Sequence, residues 1–163
     1  MRGTPLSAMA RAGRILATAA LLVIVVGCDD NPPPWNSTLT DSQARQAMTD
    51  LGIRIPADYS LVGMTSVAYP VGHASYRGAF DYPIRGKAPV MPQIDGAPPA
   101  APVPECDPDD QKLWASYGFT CAMTSAQSVS FRPRDKRITN EITAVTAIIT
   151  PGHGRFFIYS TGT

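Results

Sequence analysis

A chain of 163 residues with 14 Lys and Arg against 13 Asp and Glu has a formal net charge of +1. That balance gives no electrostatic basis for nucleic-acid binding, which needs a clustered basic face. It gives none for a polybasic membrane patch either, and the length suits one domain with a single core.

Residues 1 to 27 contain Arg2, Arg11 and Arg14 and no acidic residue, and an apolar run of 12 residues extends from Ile15 to Val26. A cationic leader, a short apolar core and a small residue before a cleavage point together form a secretory signal. As a helix the run would measure about 18 Å, well short of the ~30 Å hydrocarbon core of a bilayer. The end of the run, Val25-Val26-Gly27-Cys28, resembles the lipobox of bacterial lipoproteins, a class in which a diacylglycerol is attached to the cysteine sulfur and the chain is cut just before it. The chemistry suits the residues: Gly27 is small enough to admit a peptidase, and the Cys28 thiolate is the acceptor nucleophile. The resemblance implies a signal peptide at 1–27, lipidation of Cys28, and a lipid-held protein on the extracytoplasmic face of a cell membrane.

Cleavage there removes three arginines, leaving 11 basic residues against 13 acidic. Assigning Cys28 to lipid leaves Cys106 and Cys121 as an even pair in a compartment where disulfides persist. Their bond would close a loop of about 15 residues, worth ~3 kcal/mol in the chain-entropy model.

Residues 28–39 read as a tether, with Pro32-Pro33-Pro34 as a semi-rigid centre. A single domain at 40–163 follows. Its first element is a helix over residues 40–51, because Thr40 and Gln43 fit a capping box and Ala44, Ala47, Met48 and Leu51 share a face. Gly52 can end it in a left-handed conformation. Residues 60–69 and 75–82 read as strands punctuated by Pro70 and Gly72. In the second, Tyr76, Phe80 and Tyr82 share one face, and Arg77, Ala79 and Asp81 share the other.

The stretch 83–108 holds eight prolines, a density that excludes a central strand or a long helix. It reads as a long extended loop and as the partner-contacting element. A short helix follows, with Asp107 as cap, Pro108 in first position, Leu113, Trp114 and Tyr117 as an apolar patch, and Gly118 as terminator. The Cys106–Cys121 bond would staple this helix. Residues 127–133 form a further strand, and "RPRDKR" (132–137) a solvated turn. Residues 143–150 and 155–161 flank the four-residue turn "PGHG" as a hairpin apolar on both faces, and so a central one.

The expected fold is α+β: an N-terminal helix packed on an antiparallel sheet of about four or five strands, with one short disulfide-stapled helix. Candidate chemistry is sparse. His73 and His153 both lie in glycine-flanked turns, and were those turns to meet at one end of the sheet the pair could form a metal or acid–base site with Asp81. No set of three or four metal ligands can be named, so no metal and no cofactor is assigned. No G-x-S-x-G elbow, P-loop or dinucleotide fingerprint occurs. The reading that follows is a non-catalytic binding or accessory module of the cell envelope, partnered by the membrane through its lipid and by an envelope protein. The alternatives are a small envelope hydrolase using His73 or His153, and a lipid or small-ligand carrier with a cavity between helix and sheet.

Overall fold

The computed structural model describes residues 35–86, 88–103, 108–133 and 141–162. The leader, Cys28, Cys106, Asp107 and most of the 132–137 charge run lie outside them.

Strands β1 (Trp35–Thr38), β2 (Ile53–Arg54), β3 (Ser60–Ala68), β4 (Ser75–Pro83), β5 (Gln93–Ile94), β6 (Ala101–Pro102), β7 (Thr124–Phe131), β8 (Glu141–Thr150) and β9 (His153–Thr161) alternate with two helices, α1 (Asp41–Asp50) and α2 (Pro108–Trp114). Seven of the strands form one antiparallel sheet in the order β1-β3-β4-β9-β8-β7-β6, and β2 pairs with β5 in a second, two-stranded sheet. The expectation of an α+β fold with four or five strands is therefore corrected: the domain is mostly β, and the helices are short covers.

The extra strands come from segments with weak sequence signals. β1 lies within the expected tether, and all four of its residues are exposed, so it shows no apolar alternation. It holds its place through backbone pairing with β3, in the register Trp35↔Ala68 to Thr38↔Thr65. β6 includes Pro102 and pairs only with β7, and the edge of a sheet is where a residue without an N–H is tolerated. The proline-rich stretch is thus tied down twice, by β5 and β6, and is not one free loop. The turn between β8 and β9 is also tighter than expected. Thr150 pairs with His153 across Pro151-Gly152, and Gly152 has φ +83°, as a two-residue turn with proline first and a left-handed residue second requires.

The sheet has a core on each face. On one side Ala44 and Met48 of α1, with Leu51 at its C-cap, pack with Phe80, Ile142, Phe156 and Ile158. The capping box is present, with Thr40 N–H donating to Gln43 Oε1 at 2.9 Å and Gln43 N–H donating to Thr40 Oγ1 at 3.4 Å. On the other side Trp114, Tyr117 and Phe119 pack on Ala79, Val145 and Phe157. Covering on both faces is why β8 and β9 read as apolar at nearly every position. They sit centrally, as expected.

After α2 the chain makes one 3-10 turn, Ala115–Tyr117, and Gly118 ends it at φ +80°. Cys121 is the one cysteine among the described residues, so no disulfide joins two of them. Cys106, the other half of the staple expected across α2, lies outside the described residues; within them the helix is held by the burial of Trp114, with Leu113 partly buried against the same cluster.

Candidate ligand-binding site

The site lies where the proline-rich stretch leaves β4 and turns back toward β5. Tyr82 is the penultimate residue of β4, and its ring stacks on Tyr59 with centroids 4.7 Å apart and planes 13° from parallel. Tyr59 is positioned from the opposite direction. Arg45 on α1 donates to the carbonyls of Pro56 (3.1 Å) and Tyr59, while its Nε donates to Asp41 at 2.8 Å. The helix thus fixes the loop that presents the first ring, and the sheet presents the second.

The two phenols and Thr146 fasten Val90. The Val90 N–H donates to Tyr82 Oη at 3.2 Å, and Tyr59 Oη donates to the Val90 carbonyl at 3.0 Å. Tyr82 Oη lies 2.5 Å from Thr146 Oγ1, which reaches the Val90 carbonyl at 3.5 Å. Donors and acceptors balance around this ring if Tyr82 gives its proton to Thr146. Side chains therefore satisfy both backbone polar groups of Val90, as strand partners otherwise would. The Val90 side chain is left exposed.

A hollow of about 360 Å³ opens beside this latch, lined by Pro56, Tyr59, Tyr82, Pro83, Met91 and Pro92, among others, with Asp58 and Arg85 also on its wall. Arg85 and Asp58 pair at 2.9 Å but are well exposed, so the pair sets charge at the rim and adds at most ~1 kcal/mol. Met91 and Pro92 also line a neighbouring hollow of about 350 Å³, with Ile94, Pro98 and Val129. What the site offers is contact area: proline and aromatic planes, a methionine that adapts to what it touches, and one ion pair at the edge.

Burial raises the pKa of both phenols above the ordinary tyrosine value. For Tyr59, burial is the largest cause, followed by Tyr82 and Asp58. For Tyr82, burial outweighs the opposing hydrogen bonds from Thr146 and Val90. Tyr76 is raised as well, by burial and then by Asp50. Above about pH 10 the unfolded chain releases phenolic protons that the fold retains, so stability falls as pH rises. Their contribution should be intact below about pH 10 and disappear as pH climbs through the folded values. In a urea series taken up through that range, the midpoint should drop, and phenolate absorbance should lag behind that of the unfolded chain. A midpoint that stays level across the range would contradict the assignment.

The residues singled out from sequence fall elsewhere. His73 is exposed in the β3–β4 turn and His153 is exposed at the start of β9. Register separates them: Tyr76 pairs with Ser160 at one end of the β4–β9 ladder and Pro83 pairs with His153 at the other, about 25 Å apart at ~3.3 Å per residue. The two turns do not meet. Asp81 shares a sheet face with His153, but its carboxylate is taken by Arg155, at 2.5 Å from Nε and 2.9 Å from Nη2. Arg155 Nη1 also donates to the Tyr117 carbonyl at 2.6 Å, so this group ties the sheet to the end of the 3-10 turn. Among the described residues no three His, Cys, Asp or Glu side chains gather as metal ligands would. Between α1 and the sheet, where a carrier's cavity was expected, Met48, Ile53, Phe80 and Ile158 fill the space. Cys28 and Cys106 lie outside the described residues.

No protein-family model, curated protein or solved structure matches this chain. The site therefore rests on its own geometry. Sequence reasoning passed over Tyr59, Val90 and Thr146. Thr146, fully buried within the apolar run of β8, carried the one usable signal, because a buried hydroxyl needs a partner.

Proposed function

We propose that this chain is a lipid-anchored module of the cell envelope that binds a partner protein without chemistry, using the two hollows that share Met91 and Pro92. The observation that carries the reading is the fastening of Val90: the proline-rich stretch is held open against the sheet, with apolar space on each side of Met91–Pro92. A segment pre-set in this way loses little conformational entropy on binding. Its proline and tyrosine planes suit an extended apolar stretch of another envelope protein. The anchoring half of the reading rests on Gly27-Cys28 at the end of the apolar run.

Two measurements test the two halves. Cys28→Ala should move the protein out of the washed membrane fraction or leave it unprocessed, and intact mass should show acyl glycerol on the parent alone. A photoreactive residue at Val90 should give a discrete crosslinked species in intact cells. No crosslink at Val90 from a folded, lipidated protein would overturn the binding half.

A further inference from the structure

Resting on the anchoring just proposed, we infer that the end of the sheet formed by Trp35 and the β3–β4 turn lies in the lipid headgroup layer and orients the domain on the membrane. Five large apolar side chains are exposed among the described residues: Trp35, Val62, Tyr69, Val71 and Val90. Scattered singly on a surface, such residues need no explanation. Three of these five share one end of the sheet. Trp35 pairs with Ala68 at the last residue of β3, so it lies beside Tyr69, and Val71 follows in the same turn. Their exposures are 57% for Trp35, 43% for Tyr69 and 87% for Val71.

Chain length selects the occupant. Six residues, Asp29 to Pro34, separate Cys28 from Trp35, so a lipidated Cys28 holds the start of β1 within about 25 Å of its acyl glycerol at full extension. The far end of the nine-residue strands β3 and β4 is about 30 Å further away. The end with the shortest link to the lipid is thus the end carrying a tryptophan, a tyrosine and an exposed valine. Tryptophan and tyrosine favour the membrane interface because each joins an apolar body to a polar tip. The acyl chains supply the hold, and the aromatic tip sets the angle. The Val90 site, beyond the opposite end of β4, then faces away from the bilayer.

Fluorescence tests this directly, since Trp114 is fully buried and serves as an internal reference for Trp35. The full chain is purified from membranes and reconstituted in phosphatidylethanolamine–phosphatidylglycerol vesicles with or without bromine on the shallow acyl carbons. The Trp35 emission, taken as parent minus Trp35→Phe, should fall by roughly half on the brominated vesicles and resist aqueous iodide. Val71→Asp, at an exposed position, should remove most of that quenching while the urea midpoint stays the same. Trp35 emission quenched by iodide but not by brominated lipid, in protein whose intact mass includes the acyl glycerol, overturns the orientation and leaves the anchor standing. Protein without that mass overturns the anchor, and the orientation falls with it.

Discussion

Trp114→Ala should destabilise the domain by about 3–5 kcal/mol, the range for truncating a fully buried aromatic side chain. Trp114 has no solvent exposure and lies near Phe119 (5.6 Å) and Phe157 (6.0 Å), which themselves meet edge to face at 5.1 Å. Its Nε1–H donates to the Ile158 carbonyl at 3.3 Å. The size of the effect follows from what the ring does for α2. A seven-residue helix is too short to persist in water unaided, so its stability comes from docking. Trp114 is the fully buried residue of α2, with Leu113 partly buried beside it, and without it Ala79, Val145 and Phe157 keep only the cover of Tyr117 and Phe119. Trp114→Phe should cost less, because it keeps much of the apolar contact and loses the hydrogen bond. Urea denaturation would show this as a lowered midpoint at constant slope. A loss below about 1 kcal/mol for the alanine variant would mean that α2 contributes little to this face.

How far the sequence could be read depended on whether a segment's order is local. α1 was legible in full: Thr40 and Gln43 form the capping box, and Ala44, Ala47, Met48 and Leu51 are buried. The alternation in β4 also carried through, since Tyr76, Phe80 and Tyr82 join the core on the α1 side and Ala79 the core on the α2 side. Segments ordered by distant partners were not legible. β1 is held by β3, about thirty residues away, and its own residues bury nothing. β5 and β6 are two residues each and owe their conformation to β2 and β7. The site failed to show for the same reason. It consists of Tyr59, Tyr82, Val90 and Thr146, drawn from four separate stretches of chain, and apart from Thr146 in its apolar run none of them has a neighbour in sequence that marks it. Asp81 was misread for a related cause: a carboxylate on a strand looks available until the cross-strand residue is known, and here that residue is Arg155.

The other large effect is expected at Gly154, which pairs with Tyr82 across β9 and β4. A Cβ built on Gly154 would lie 2.3 Å from Tyr82 Cζ and 2.5 Å from its hydroxyl. Tyr82 therefore lies flat over the bare backbone of its partner, an arrangement any larger residue forbids. Nor can the ring step aside, because it is stacked on Tyr59 and bonded to Thr146 and Val90. Gly154→Ala should accordingly reach the upper part of the overpacking range, about 3 kcal/mol, and should release Val90 as the phenol is displaced. A double-mutant cycle separates these consequences. Tyr82→Leu alone loses the ring and its hydrogen bonds but leaves room for the new methyl group. Combined with Gly154→Ala it should cost less than the sum of the two single changes, by an amount within the 0.5–3 kcal/mol coupling seen for residues in contact. Additive costs would show that the alanine is accommodated by a shift of β9 and that the ring does not depend on the glycine. Crosslinking from Val90 supplies an independent readout: it should fall in Gly154→Ala even under conditions where the variant remains folded, because the hollow depends on where Tyr82 lies.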